Sequence, residues 1–187
     1  MKPQSIRLLF ALLCAGSTPL LAKEPIKPPP AAPPVPAEQA QVDYFNGHWT
    51  CSGTAFASPM GPEHKTTGTV HAERAVGGRW NHITYDENKT EANATPYHAG
   101  LYMGYDAGAK RFVQHCHDSM GGHCSSTSAG WNGDKLVFEG ANEGDGKSTP
   151  SRETFTRKGA DEVMHTGEMQ MDGKWVKTDE ETCKKGK

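Results

Sequence analysis

The sequence predicts an all-β protein, in which a single antiparallel meander of about ten strands closes into a β-barrel. Short β-prone runs separated by Gly, Asn and Asp begin at Asp43, and no apolar period of 3.6 residues persists. The separating residues tolerate positive φ, so hairpins join neighbouring strands. An open meander would leave two unpaired edges, which closure removes. A barrel is therefore favoured over the alternative, a β-sandwich.

The first element in chain order is an export signal at residues 1–22. Lys2 and Arg7 provide a basic start, an apolar run follows at 8–13, and cleavage is expected after Ala22. A lipoprotein with lipid on Cys14 is the alternative, but a bulky leucine precedes this cysteine where a small residue is needed. We expect a periplasmic or secreted protein.

A proline-rich spacer at residues 23–42 comes next. Seven prolines lie between positions 24 and 36. Proline lacks a backbone N–H donor and favours the extended polyproline II conformation, so this segment is expected to be semi-rigid. Binding of the prolines to a partner's aromatic groove is the alternative interpretation. Residues 37–42 lead into the fold.

The barrel domain is predicted at residues 43–187. Its turns contain residues that tolerate positive φ, at 76–78, 106–108, 120–122, 132–134 and 172–173. The predicted strands, in chain order, are 48–56, 65–76, 79–86, 97–106, 111–118, 124–131, 135–140, 151–157, 162–171 and 174–183.

Charge and hydropathy exclude two classes of partner. The chain has 20 Lys and Arg against 22 Asp and Glu, and no basic stripe of the kind that nucleic acid binding requires. Beyond residue 22 no apolar run approaches the ~18 residues needed to span a membrane. We therefore expect no nucleic acid partner and no membrane span after signal cleavage. A closed barrel has no free edges, so we expect a monomer.

Four cysteines remain after signal cleavage, an even number that suggests disulfides in an exported chain. Three pairings are possible. Cys116 and Cys124 flank one short turn, whereas Cys51 lies on the first predicted strand and Cys183 on the last. Closure of a barrel brings the first and last strands together. The predicted pairs are Cys51–Cys183 and Cys116–Cys124, which would compensate for a core with few aliphatic residues.

A ligand cavity is predicted inside the barrel. On the fourth strand aromatic and aliphatic residues alternate with glycine and polar residues, so one set points inward. We expect a cavity for a small, partly apolar molecule, lined by Trp49, Tyr97, Leu101, Met103, Tyr105 and Phe138. A filled barrel without a cavity is the alternative.

Three histidines form a candidate metal site. His115 and His117 point to one face of a strand, and a hairpin that pairs Cys116 with Cys124 places His123 opposite His117. Three imidazoles can bind Zn²⁺ or Cu²⁺. The alternatives are a solvent-facing histidine patch, or the two cysteines acting as thiolate ligands or a redox pair.

No cofactor is otherwise indicated, and catalysis has little support. The sequence contains no Gly-x-Ser-x-Gly, His-Glu-x-x-His or phosphate-binding glycine motif. We expect non-enzymatic binding of a small molecule. A metal-binding protein and a structural module for interactions at the cell envelope, displayed on the spacer, are the alternative functions.

Several motifs resemble a known bacterial family. They are Asp43-Tyr44-Phe45-Asn46-Gly47-His48-Trp49, Gly77-Gly78-Arg79, Gly100-Leu101-Tyr102-Met103-Gly104-Tyr105-Asp106, Lys110-Arg111-Phe112-Val113 and Asp118-Ser119. In order and spacing they resemble domain of unknown function 1579, over most of residues 43–183. The resemblance implies a small calycin-type barrel, similar in shape to lipocalins and fatty-acid-binding proteins, in which the Gly-x-Trp motif seals one end. It implies no particular reaction. The four cysteines and the proline leader depart from the family pattern.

Overall fold

A computed structural model describes residues 31–59 and 61–186 of the chain. The chain divides into two compact units, Met1–Pro33 and Pro34–Lys187. Of the first unit only residues 31–33 are described, and they form no regular structure. The predicted signal peptide, Cys14 and the spacer up to residue 30 lie outside the described residues. No helix in the described part is long and apolar enough to span a membrane.

The second unit begins with a 3₁₀ helix, Ala37–Phe45, and continues as an antiparallel meander. The strands are β1 (Gly47–Ala55), β2 (His64–Ala75), β3 (Trp80–Glu87), β4 (His98–Asp106), β5 (Arg111–Asp118), β6 (His123–Ser128), β7 (Trp131–Asn132), β8 (Lys135–Gly144), β9 (Lys147–Arg157), β10 (Glu162–Met171) and β11 (Lys174–Lys185). β1 pairs with β11 and β6 pairs with β8, so ten strands form a closed barrel, with β7 as an additional strand beside β8. The predicted closed barrel is confirmed, and the sandwich alternative is not favoured.

The strand boundaries depart from the predicted ones by more than two residues at two places. The predicted strand 124–131 ends at Ser128, because Gly130 has φ 99° and the chain turns before the short strand β7. The hairpin of β8 and β9 is longer than expected. Its turn is formed by Asp145 and Gly146, both with positive φ, and Pro150 is accommodated within β9.

The 3₁₀ helix, which the sequence analysis does not predict, closes one end of the barrel. Its buried residues, Gln39, Val42 and Phe45, are three apart, the spacing that places side chains on one side of a 3₁₀ helix. The Gln39 Nε2 donates to Asn81 Oδ1 at 2.8 Å, and its Oε1 accepts from the Tyr105 backbone N–H at 2.7 Å. These hydrogen bonds compensate the burial of the amide.

Both predicted disulfides are present. Cys51 on β1 and Cys183 on β11 are direct register partners with Cα atoms 4.0 Å apart. Cys116 on β5 and Cys124 on β6 are likewise register partners, with Cα atoms 4.9 Å apart. The first bond therefore links the ends of the meander, and the second links the two strands of one hairpin.

The apolar core occupies the half of the barrel next to the 3₁₀ helix. Its members come from the helix and from strands all around the barrel, and they include Val42, Phe45, Trp49, Met103, Phe112, Leu136, Phe138 and Val163. Aromatic rings supply much of its volume, as the edge-to-face contact of Phe45 and Phe155 at 5.0 Å illustrates. The other half of the barrel interior is lined by polar side chains.

Candidate functional site

The residues predicted to line a ligand cavity divide between these two halves. Trp49, Met103 and Phe138 are 3%, 0% and 0% exposed and belong to the apolar core, with Leu101 and Tyr105 packed against it. Tyr97 lies at the opposite end, where its hydroxyl donates to Asp118 Oδ2 at 3.3 Å. The structure thus brings five of the six together as packed core and sets Tyr97 apart.

A cluster of charged side chains lies inside the polar half. The His165 Nδ1 is 3.0 Å from Asp179 Oδ2, and its Nε2 is 3.9 Å from Glu153 Oε2. These three side chains point into the barrel yet are 24%, 33% and 26% exposed. Side chains that face the interior keep this accessibility only if the space beside them is unfilled. We call this space the polar chamber; the residues that define it are Tyr85, Gln114, Glu153, His165, Asp179 and Glu181.

Strand alternation directs the charged residues inward. On three adjacent strands, a charged residue lies two positions from an apolar core residue and therefore on the same face. The pairs are Phe155 and Glu153, Val163 and His165, and Cys183 and Glu181. Sequence reasoning missed this cluster, although the spacing of two was the signal that could have found it.

Inward-facing glycines leave room for two of the carboxylate side chains. A Cβ added at Gly167 would lie 2.2 Å from Asp179 Oδ1, and one at Gly53 would lie 2.6 Å from the Glu181 Cγ. Both distances are far below van der Waals contact. Glycine is therefore required at these positions for close approach of the carboxylate side chains.

The charged forms of His165 and Asp179 stabilise each other. Burial lowers the pKa of His165, but the adjacent Asp179 carboxylate, with Glu153 and Glu181 further off, outweighs it and raises that pKa to about 9. Burial raises the pKa of Asp179, and the His165 charge and hydrogen bond outweigh it, so this pKa is lowered. The chamber thus holds one cationic imidazole among three carboxyl groups.

Two tyrosines extend the cluster. The Tyr85 hydroxyl donates to Glu181 Oε1 at 2.8 Å, and the Thr66 hydroxyl donates to the same oxygen at 2.5 Å. Burial, and then the nearby Glu181, raises the pKa of Tyr85. Burial, and then Asp118, raises the pKa of Tyr97. Both tyrosines are therefore neutral hydroxyl donors at neutral pH.

Two buried polar atoms on this side of the barrel have no hydrogen-bond partner among the described residues. Gln114 is 0% exposed; its Nε2 donates to Glu153 Oε2 at 2.9 Å, while its Oε1 accepts nothing. The Ser126 Oγ on the neighbouring strand is likewise unpartnered. Gln114 and Ser126 are direct register partners on β5 and β6, so these groups are adjacent. Unpartnered buried atoms are uncommon and call for an explanation.

The predicted metal-binding histidines lie elsewhere, on the outer surface. His117 and His123 are register partners and exposed, and His115, also exposed, approaches the Trp80 ring at 6.1 Å between centroids. The metal site stays a prediction. Titration of the oxidised protein with zinc, compared with His117→Ala, tests it.

The polar chamber does not have the geometry of a metal site. Asp179 and Glu153 approach opposite nitrogens of the His165 ring, so one ion cannot contact all three groups. Within the described ranges, three potential ligand atoms converge only at Cys51, Glu181 and Cys183, where both sulfurs are already joined in a disulfide.

Two concave regions occur on the outside of the barrel. One, of about 230 Å³, lies beside His48 and His71, and the other, of about 390 Å³, beside Lys135 and Lys177. Both are open to solvent. We give more weight to the polar chamber, because it combines buried charge with unpartnered polar atoms.

Comparison with known proteins agrees with this architecture. A family model described as "Protein of unknown function (DUF1579)" matches residues 36–185. The chain belongs to the DUF1579 family. The family resemblance of its motifs is thereby confirmed. No curated protein matches the sequence of this DUF1579 protein.

Among solved structures, Rv2717c from M. tuberculosis is similar to the DUF1579 chain, with 12% identity and a TM-score of 0.64 over 82% of this chain and 100% of that one. A protein of unknown function from the DUF3598 family of Nostoc punctiforme PCC 73102 also has 12% identity, with a TM-score of 0.23 over 81% of this chain and 100% of that one. The first similarity shows the fold alone.

Proposed function

We propose that this DUF1579 barrel binds a small, partly apolar molecule in its polar chamber. The observation that carries the proposal is the accessibility of His165, Asp179 and Glu153, which face the barrel interior and are a quarter to a third exposed. Buried charge is costly unless it is compensated, so a chamber that keeps charged groups beside free space is suited to a ligand.

The chamber offers both polar and apolar contacts. The Phe155 ring lies 4.9 Å from the His165 ring, between the charged cluster and the apolar core. In this proposal Tyr97 and Leu101 border the ligand. The other predicted residues, Trp49, Met103, Tyr105 and Phe138, form the apolar floor beneath it.

The protonation state of His165 is suited to ligand binding rather than to catalysis. A histidine oriented by a carboxylate can act as a general base, but only in its neutral form. The pKa of His165 is raised to about 9, chiefly by Asp179 acting against burial, so the imidazole is protonated at neutral pH. In the described part of the chain, no hydroxyl or thiol group hydrogen-bonds to its Nε2. The site therefore lacks an activated nucleophile.

The proposal places this activity outside the cytoplasm. Two disulfides in a domain of this size are typical of oxidising compartments. The predicted signal peptide at residues 1–22 agrees with export.

The test is a ligand-observed NMR screen of the oxidised protein against a mixed library of cationic, anionic and neutral small molecules. Ala99 points inward between Tyr85 and Asp118, so Ala99→Phe fills the chamber. At the outward neighbour, His98→Phe places the same phenyl ring on the same strand outside the barrel. We expect compounds that bind the wild type and His98→Phe but not Ala99→Phe. No binder, or equal binding to a folded Ala99→Phe protein, contradicts the proposal.

A further inference from the structure

We propose that the polar chamber selects a small organic cation, an amine joined to an apolar group. This inference rests on the proposed function, because it names the ligand class of the same site. Three features of the chamber support it: the sign of its charges, its free hydrogen-bond acceptor and the aromatic rings around it.

The chamber is acidic. Glu153, Asp179 and Glu181 face one cationic group, His165. None of the described residues that define the chamber is lysine or arginine, and the nearby Arg152 lies on the outer face, where it pairs with Glu168 at 2.8 Å. An anionic ligand would meet repulsion from two carboxylates beyond the one paired with the imidazole.

One carboxylate retains acceptor capacity for a ligand. Asp179 already forms an ion pair with His165, and the Glu181 Oε1 already accepts hydrogen bonds from two hydroxyl groups. Glu153 accepts one hydrogen bond, from the Gln114 amide, and is 26% exposed. A carboxylate can accept about four hydrogen bonds, so Glu153 is the group available to a donor.

The unpartnered atoms are acceptors beside that carboxylate. The Gln114 Oε1 has no partner, and its amide nitrogen already contacts Glu153. The Ser126 Oγ, also unpartnered, lies on the adjacent register position. An ammonium group has three donors and no acceptor. Of these acceptors, Glu153 is the one with accessible surface, so in this proposal the ammonium group donates to Glu153.

An organic ammonium fits better than a metal ion. No described set of chamber ligands converges on one point as an ion requires. Aromatic rings border the chamber instead: Tyr85 and Tyr97 lie 6.4 Å apart between centroids, and Phe155 contacts His165. The faces of such rings attract organic cations and pack against the apolar part of a ligand.

The experiment compares three probes of similar shape by calorimetry at neutral pH: phenethylamine, the neutral phenylethanol and the anionic phenylacetate. We expect phenethylamine to bind about tenfold tighter than phenylethanol, because a hydrogen bond from a charged donor is roughly twice as strong as one from a neutral donor. Glu153→Gln should remove this preference.

The matched control is Glu139→Gln, which removes the same charge from an exposed position on β8, where Glu139 is 65% exposed. Glu139→Gln should leave the binding of all three probes unchanged. Thermal melts of each variant exclude misfolding. Equal or tighter binding of phenylethanol or phenylacetate, or an undiminished preference in folded Glu153→Gln, overturns the cation assignment and leaves the small-molecule function intact. Absence of binding by all three probes also overturns it, and the library screen then decides separately whether the chamber binds any molecule.

Discussion

The Cys51–Cys183 disulfide should stabilise the barrel more than the Cys116–Cys124 disulfide does. The two residues are 132 positions apart and join the first and last strands. Constraining an unfolded loop of this length is worth about 5 kcal/mol in the chain-entropy model, whereas the short loop between Cys116 and Cys124 is worth about 2.6 kcal/mol. Cys51→Ala/Cys183→Ala should therefore lower the free energy of unfolding about twice as much as Cys116→Ala/Cys124→Ala.

The assay is urea denaturation of the wild type and both double variants, followed by tryptophan fluorescence. Each variant loses two sulfur atoms, so the packing cost largely cancels in the comparison and the loop term remains. Equal losses, or a smaller loss for the pair that joins β1 to β11, would refute the reasoning that this bond restrains the ends of the meander.

Two further predictions concern the charged cluster. Because the pKa of His165 is raised from 6.5 to about 9, its stabilising contribution is complete below pH 6.5 and is lost as the pH rises through about 9. The advantage of the wild type over His165→Gln in urea denaturation should fall by about 3 kcal/mol across that interval, and a pH-independent difference would contradict it. Gly167→Ala places a Cβ 2.2 Å from Asp179 Oδ1 and should destabilise the fold by about 2 kcal/mol. Gly61→Ala, which meets no atom within 4 Å, should be neutral in the same thermal and urea melts, and equal effects would count against the close approach.

The barrel and its disulfides are predictable from local rules. Turn residues with positive φ mark the hairpins. The number of cysteines is even, with one pair beside a turn and one cysteine on each of the first and last strands. Only one pairing is therefore compatible with closure of the barrel. The 3₁₀ helix is harder to predict, because its buried residues Gln39 and Val42 follow a period of three and one of them is polar.

The polar chamber is not predictable from composition. Glu153, His165 and Glu181 are residue types that usually face solvent, and they lie on three different strands. Alternation alone places them inward, but their burial depends on the hydrogen bonds and glycine contacts that only the assembled barrel provides. The aliphatic and aromatic residues that suggest a cavity wall are instead mainly packed core, because burial of apolar area favours filling that space.

Histidine-selective NMR during titration with phenethylamine tests most directly whether the chamber takes a ligand. Eight of the nine histidines belong to the outer face or the rim of strands β1–β6, which separates their environment from that of His165 inside β10. We expect a saturable shift of the His165 ring signals while those of His117 stay constant. Shifts confined to the outer histidines, with His165 unchanged, would contradict it.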